Sequence, residues 1–188
     1  MLISTLITVC TLFPLSFTTD VVEIRKVVSK IQEINPKIEE DTALEIVRGV
    51  GAGSCEFGIE EALLLAVIHT ESTFKPHVVG DGGKSWGLTQ INYPVWKAFP
   101  ESLKRSTDIG IQVVAGAYAL NFWWNWAKNN SRRSKKGLYW INHYNSGVSW
   151  KAGKPWAAKV KRRYKMWKRL MSEDIVAEKK GDEEGTSG

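Results

Sequence analysis

The stretch Ala62-Leu63-Leu64-Leu65-Ala66-Val67-Ile68-His69-Thr70-Glu71-Ser72-Thr73-Phe74-Lys75-Pro76 decides how the rest of the chain reads. Seven apolar residues run without interruption, then come His69 and Thr70, a carboxylate and loop sequence. A segment from Ile59 to about Thr73 that is apolar almost all round predicts a helix at the centre of a core. Glu71 then falls at its C-terminal end. The helix dipole and the apolar surroundings both disfavour an ionised carboxylate there. In a closed site they would push its pKa from about 4.3 toward about 6. A carboxylic acid that keeps its proton near neutrality is a candidate general acid. The competing reading is a Glu that bends out to solvent at a helix end.

Working outward, Val21, Ile24, Val27, Val28, Ile31 and Ile34 recur at helical spacing until Asn35-Pro36 breaks the pattern. Glu40-Asp41-Thr42 opens a second helix, which the glycines from Gly49 to Gly53 are expected to end. Phe74 to Gln90 reads as a long loop, because Pro76, Gly80, Gly82, Gly83 and Gly87 forbid a regular helix. Asn92-Tyr93-Pro94 starts a helical stretch toward Ala98. Thr107-Asp108 caps a helix from Ile109 to about Lys128, with Ile111, Val114, Ala115, Tyr118 and Phe122 on its inner side. A basic loop from Ser131 to Lys136, a short helix from Gly137 to Tyr144 and a last helix from about Pro155 to Met171 complete the order. No strand is expected. The fold class is all-α, with one long functional loop. Residues 1–18 read as a targeting segment, 19–57 as an N-terminal helical extension, 58–172 as the catalytic domain and 173–188 as a disordered charged tail.

The 188 residues suffice for one domain with a real core, and 43% hydrophobic with 24% charged residues excludes a disordered chain. The net charge of +6 is unevenly spread. Asp20 to Glu61 is acid-rich, whereas Lys128 to Arg169 is strongly basic, which favours an anionic polymer or surface as partner over a neutral one. A solvated helix face is the plainer reading. All nine Trp lie from Trp86 onward, and Trp fills cores as readily as it stacks on sugars. Met1 to Phe17 is apolar and uncharged, without the usual basic start. It reads first as a secretory signal, second as an uncleaved anchor, third as an apolar N-terminal helix. With Cys10 in that segment, Cys55 is expected to be a buried thiol with no disulfide. His69, His77 and His143 form no metal-ligand pattern and read as surface or loop residues.

Three blocks carry more specific information: Glu71-Ser72-Thr73-Phe74-Lys75-Pro76, Ser85-Trp86-Gly87-Leu88-Thr89-Gln90-Ile91 and Tyr144-Asn145-Ser146-Gly147. They resemble, in order, the signature blocks of lytic transglycosylases, the soluble lytic transglycosylase-like branch of the lysozyme superfamily. The stretch from Trp156 to Tyr164 resembles that family's terminal helix, and the likeness spans about Ile59 to Leu170. It implies a lysozyme-like helical domain with Glu71 as catalytic acid and base. Ser85 and Gln90 would line the sugar groove, Tyr144 would hydrogen-bond near the carboxylate, and Asn145 and Gly147 would complete that turn. Trp86 is a candidate stacking face, or else packs beneath the loop. Thr89 stands where Met is commoner in the family and Trp156 where Tyr is common; neither is expected to touch the chemistry.

The implied reaction cleaves the β-1,4 bond between N-acetylmuramic acid and N-acetylglucosamine, with the sugar's own C6 hydroxyl as acceptor and a 1,6-anhydro product. No cofactor or metal is implied. The implied partners are peptidoglycan strands and the anionic cell-wall surface. Nucleic acid is not expected, and a monomer secreted or delivered to the cell envelope is. Three other readings stand beside it. One is a goose-type hydrolytic lysozyme in which Asp81 supplies the second carboxylate, although Asp81 also suits a simple turn. Another is a non-catalytic wall-binding component of a phage particle or secretion machine. The last is a basic nucleic-acid binder, weakened by the lack of a recognised binding motif.

Overall fold

Six α-helices and one small antiparallel ribbon build the described part of the protein. The computed structural model describes residues 21–92, 99–130, 137–149 and 151–184, with side chains as far as Ser172. Helix α1, Val21–Ile34, buries Val27, Val28 and Ile31 and stops before Pro36. Helix α2, Glu40–Phe57, ends at Gly58, which takes the left-handed conformation at φ 63° and bonds its N–H to the Ser54 carbonyl. Helix α3, Glu61–Glu71, buries every residue from Glu61 to Ile68.

The glycines from Gly49 to Gly53 do not end α2; the helix runs through them. They serve a close helix crossing instead. A Cβ on Gly53 would lie 2.9 Å from the Ala117 Cβ, and one on Gly49 would lie 3.0 Å from the Val113 Cβ. Val113 and Ala117 belong to α4, Ile109–Asn130, so the missing side chains let two backbones approach. The packing gained there outweighs the propensity cost of glycine, about 1 kcal/mol per residue. Because α2 turns Gly49 and Gly53 toward α4, position 55 lies on its far side. Cys55 is accordingly exposed, and it is disulfide-bonded, which corrects the expectation of a buried thiol without a disulfide. Cys10, the sequence's other cysteine, lies outside the described residues.

The segment read as plain loop contains strands β1 (Val79–Gly80), β2 (Ser85–Trp86) and β3 (Ile91–Asn92), paired antiparallel in that order. Strands of two residues are too short to show period-two patterning, which is why none was legible. Helix α4 starts where expected: the Asp108 carboxylate accepts the Ile111 N–H at 2.8 Å. Its apolar surface serves two clusters. Val113, Ala117, Leu120, Trp123 and Ala127 face the main core, while Val114, Ala115 and Ala119 face a smaller one with Ile91, Phe99 and Leu103. Phe122, expected inside, is 42% exposed because Trp123 takes the inward position beside it.

A 3-10 turn, Gly137–Ile141, leads into α5, Asn142–Ser146, and then α6, Lys154–Glu184. Helix α6 continues past Ser172, so the backbone to Glu184 is helical where a disordered tail was expected; the Glu-, Lys- and Ala-rich sequence favours helix without burial. The helical stretch expected toward Ala98 and the basic loop from Ser131 lie outside the described residues. Helices α1 and α2, the expected N-terminal extension, share one core with α3 and α6 through Val27, Ile31, Ile46, Leu64, Ile68 and Trp167. Among the described residues no helix is long and apolar enough to cross a membrane.

Candidate active site

Helix α6 packs on α3 and ties both of its ends. The Tyr164 hydroxyl donates to the Glu60 carboxylate at 2.6 Å and the Lys168 ammonium lies 3.1 Å from it. At the other end the Arg163 guanidinium donates to the His69 carbonyl at 2.7 Å, satisfying one of the orphan carbonyls of the last turn. Glu71 is the last residue of α3. Just beyond it, Thr73 and Phe74 both take positive φ, 49° and 60°. Side-chain-bearing residues rarely adopt that conformation, and two in succession store on the order of 1–3 kcal/mol each. Phe74 pins them: its buried ring meets Trp167 and His69, each at 5.7 Å between centroids, and its carbonyl accepts the Asn35 amide at 3.1 Å. The chain therefore leaves α3 in one fixed direction.

The segment from Ser85 to Gln90 is fastened to α4. The Gln112 side-chain oxygen accepts the Leu88 N–H at 2.9 Å, and the Thr89 hydroxyl donates to the Gln112 carbonyl at 3.2 Å. The Thr89 methyl fills a notch at Gly116, where a Cβ would come within 2.4 Å of it. Gln90, at φ 48°, donates its amide to the Val78 and Gly87 carbonyls, both at 2.9 Å. These bonds hold the ribbon as one wall of a cavity.

That cavity, about 440 Å³, is lined by Glu71, Asp81, Ser85, Gln90, Ile91, Asn92, Ala119, Trp123, Tyr144, Asn145, Ser146 and Gly147. Its volume suits a small ligand or a sugar unit, and its many hydroxyl and amide groups suit a polyol. No Lys or Arg lines it among the described residues. Burial pushes the Glu71 carboxyl from 4.5 up to about 8, beyond the rise expected from sequence, and the Asp81 charge pushes the same way. Against them acts Trp156, whose indole N–H bears on the carboxyl and favours its ionised form. The buried Trp156 Nε1 nevertheless has no acceptor at regular hydrogen-bond geometry. Glu71 is thus held protonated at neutral pH.

The structure brings Glu71, Asp81, Ser85, Gln90, Tyr144, Asn145 and Gly147 to this one cavity. Trp86 is not among its lining residues; it packs instead on the smaller core beside Ile91 and Phe99. The Tyr144 hydroxyl does not donate to Glu71 but to the Thr89 carbonyl, at 2.8 Å. Its ring lies flat on Trp156, 5.4 Å away and 5° from parallel. Ser85 donates to the Asp81 carboxylate, so these two form a pair across the ribbon. Gly147 has φ 60° and ψ −133°, a conformation open to glycine alone in practice.

Two expectations about departures are corrected. Trp156 was set outside the chemistry, yet its N–H bears on Glu71, because the start of α6 abuts the end of α3. Thr89 supplies the carbonyl that anchors Tyr144. Two of the three histidines differ from the surface reading, while His77 is exposed in the loop as expected. His143 is buried, with Nδ1 2.7 Å from the Gly147 carbonyl oxygen, and it stacks on Trp123. His69 is half-buried, and burial, with the Arg163 charge next, lowers its pKa to about 4. Among the described residues no group of His, Cys, Asp and Glu could hold a metal ion. Sequence reasoning missed Asn92, whose buried side-chain oxygen has no partner among the described residues and lines the cavity. Its place two residues after Gln90 was the only signal. It also missed Trp123, because the helical spacing was read with Phe122 on the inner side instead.

A helical domain with one protonated carboxyl at the end of its central helix, opening on a polar cavity, is lysozyme-like in architecture. The family model described as the Transglycosylase SLT domain matches residues 50–165, more than half of the chain, and the protein belongs to that family. Members of the family are lytic transglycosylases acting on peptidoglycan. The matched stretch contains the whole of the cavity lining and Trp156. No curated protein and no solved structure matches the chain.

Proposed function

We propose that the protein is a lytic transglycosylase that cleaves the N-acetylmuramic acid–β-1,4–N-acetylglucosamine bond and leaves a 1,6-anhydro end. The observation that carries this reading is the single protonated carboxyl, Glu71, raised to about 8 in a cavity lined by sugar-compatible groups. In the first step Glu71 gives its proton to the glycosidic oxygen as the C1–O4 bond breaks, so the departing sugar leaves as an alcohol. The charge left on the anomeric carbon is shared by the ring oxygen, and the neighbouring N-acetyl carbonyl can assist. In the second step the Glu71 carboxylate takes the proton of the C6 hydroxyl while O6 bonds to C1. The enzyme returns to its starting state with no water consumed. In this reading Asn92, Asn145 and Gln90, which line the cavity, orient the glycan, and the stacked Tyr144 adds to its lining.

One observation favours a second reading. Asp81 lines the same cavity as Glu71, and a second carboxylate can hold a water for hydrolysis, as in inverting glycosidases. Mass spectrometry of products from purified peptidoglycan separates the two, since 1,6-anhydro ends mark the first and reducing ends the second. A Glu71→Gln protein that clears walls as well as the wild type would overturn both, whereas a wild type that clears no wall would leave a wall-binding role. The site of action proposed is the cell wall, outside the cytoplasmic membrane, with Met1 to Phe17 as the export signal or anchor. N-terminal sequencing of the secreted protein tests that assignment.

A further inference from the structure

The geometry points to Trp156 as a positioning residue for this reaction, an indole N–H kept without a partner beside the Glu71 carboxyl and engaged when that carboxyl ionises. The inference rests on the reading of Glu71 as acid and base, and goes beyond it by giving the ionised intermediate its stabilising group. Three observations support it. Trp156 stacks flat on Tyr144, whose hydroxyl is anchored on the Thr89 carbonyl, so the indole plane is fixed by a chain of contacts back to α4. Its Nε1 is buried and meets no acceptor. An N–H removed from water with no bond costs free energy unless some state of the site uses it. Finally, Trp156 belongs to the first turn of α6, where the helix presents its partially positive end.

The charged and titratable groups around Glu71 leave few other candidates. Asp81, on the ribbon, opposes ionisation. His69, on α3, is held neutral by burial and by Arg163. Arg163, on α6, is engaged with the His69 carbonyl. Tyr144, on α5, directs its proton to Thr89. When Glu71 gives up its proton, the carboxylate stands in a cavity lined by no cation among the described residues. The Trp156 N–H then becomes a charge-assisted donor to it. A small movement completes a bond that the neutral acid does not require. Removing that donor hinders ionisation and so affects both steps.

The test is the pH profile of anhydro-product release by the wild type, Trp156→Phe and Trp156→Tyr proteins. A fourth protein carries benzothienylalanine at position 156, which keeps the indole's shape and replaces its N–H by sulfur. The wild-type rate should fall on the alkaline side near pH 8, as Glu71 loses its proton. Phe and the sulfur isostere should move that limb upward by about one pH unit, a tenfold change in the ionisation constant, and lower kcat more than they alter KM. Tyr, which can donate, should restore the limb at least partly. A sulfur isostere with an unmoved limb and wild-type kcat overturns the inference, even if Phe disturbs folding. So does equal loss in all three variants with no shift, which marks packing alone. A Glu71→Gln protein that stays active overturns the reading of Glu71 itself. That outcome is distinguishable, because it is obtained with Trp156 intact.

Discussion

Replacing Glu71 by Gln should make the protein more stable as pH rises, and the size of the gain follows from the site. The folded carboxyl titrates at about 8 against an ordinary 4.5. The folded state therefore holds the proton more tightly than the unfolded chain. Below about 4.5 both states are protonated and the carboxyl costs nothing. Above that, the unfolded chain ionises first, so stability falls with pH until the folded group also ionises near 8. At about 1.4 kcal/mol per pH unit, the cost reaches about 3 kcal/mol at pH 7 and about 5 kcal/mol above pH 8. The Gln variant carries no such term. Its amide adds an offset of about 1–3 kcal/mol if left unpaired, but that offset does not change with pH. The assay is urea denaturation of both proteins at intervals from pH 4 to pH 8. The stability difference should move by about 3 kcal/mol in favour of Gln between pH 4.5 and pH 7. Parallel stability curves would refute the buried, protonated Glu71 whatever the activity assay shows.

Gly116→Ala should force the Thr89 side chain out of its notch, since the new Cβ would lie 2.4 Å from its methyl carbon. Overpacking of this kind costs about 1–3 kcal/mol, and the displaced Thr89 carbonyl should loosen Tyr144. Denaturation midpoints and KM for glycan check both effects. Asp81→Asn removes a charge that raises the Glu71 pKa, so the alkaline limb should move to lower pH. Anhydro product should persist; reducing-end product that vanishes in this variant would mark Asp81 as the holder of a water. Arg162→Glu with Lys165→Glu, both exposed on α6, should weaken sedimentation with cell walls at low salt and leave cleavage of short soluble glycans unchanged. Unaltered sedimentation would assign that basic face to solvation alone.

The central helix and the position of Glu71 were legible because an unbroken apolar run followed by a charged residue has few structural solutions. The cap at Asp108 and the stop at Pro36 were equally plain, since each acts through its own backbone. What escaped depends on partners distant in sequence. Gly49 and Gly53 look like helix breakers until Val113 and Ala117 are known to lie across from them. Phe122 and Trp123 are both large and apolar, and only the rotation of α4 against its neighbours decides which is buried. Tyr144 was assigned to Glu71 by likeness of motif, yet its hydroxyl donates to the Thr89 carbonyl, held in place where the Thr89 side chain fits at Gly116. Trp156 carried no local sign of its role. It meets Glu71 because α6 is registered against α3 by Arg163 and Tyr164, a register set by contacts roughly a hundred residues apart in the chain.

In the proposed reaction the same residue releases a proton and recovers one within a turnover, and the cavity bears on which acceptor completes it. Burial and the Asp81 charge make the Glu71 carboxylate costly, and among the described residues no cation lines the cavity to relieve it. That cost is tolerable while the anomeric carbon carries positive charge, because the two charges face each other in a medium less polar than water. Once the sugar's charge is quenched, the carboxylate is left a strong base for its type. A hydroxyl already tethered to the sugar needs no separate binding step and reaches C1 by ring closure, an advantage that holding reactants together confers on any acceptor. Water has to be captured and oriented, and one oxygen of its candidate holder, the Asp81 carboxylate, already accepts the Ser85 hydroxyl. Freeing Asp81 by Ser85→Ala should therefore raise the share of reducing ends if water competes at all. An unchanged, fully anhydro product would show that the tethered hydroxyl wins on proximity, independently of what Asp81 holds.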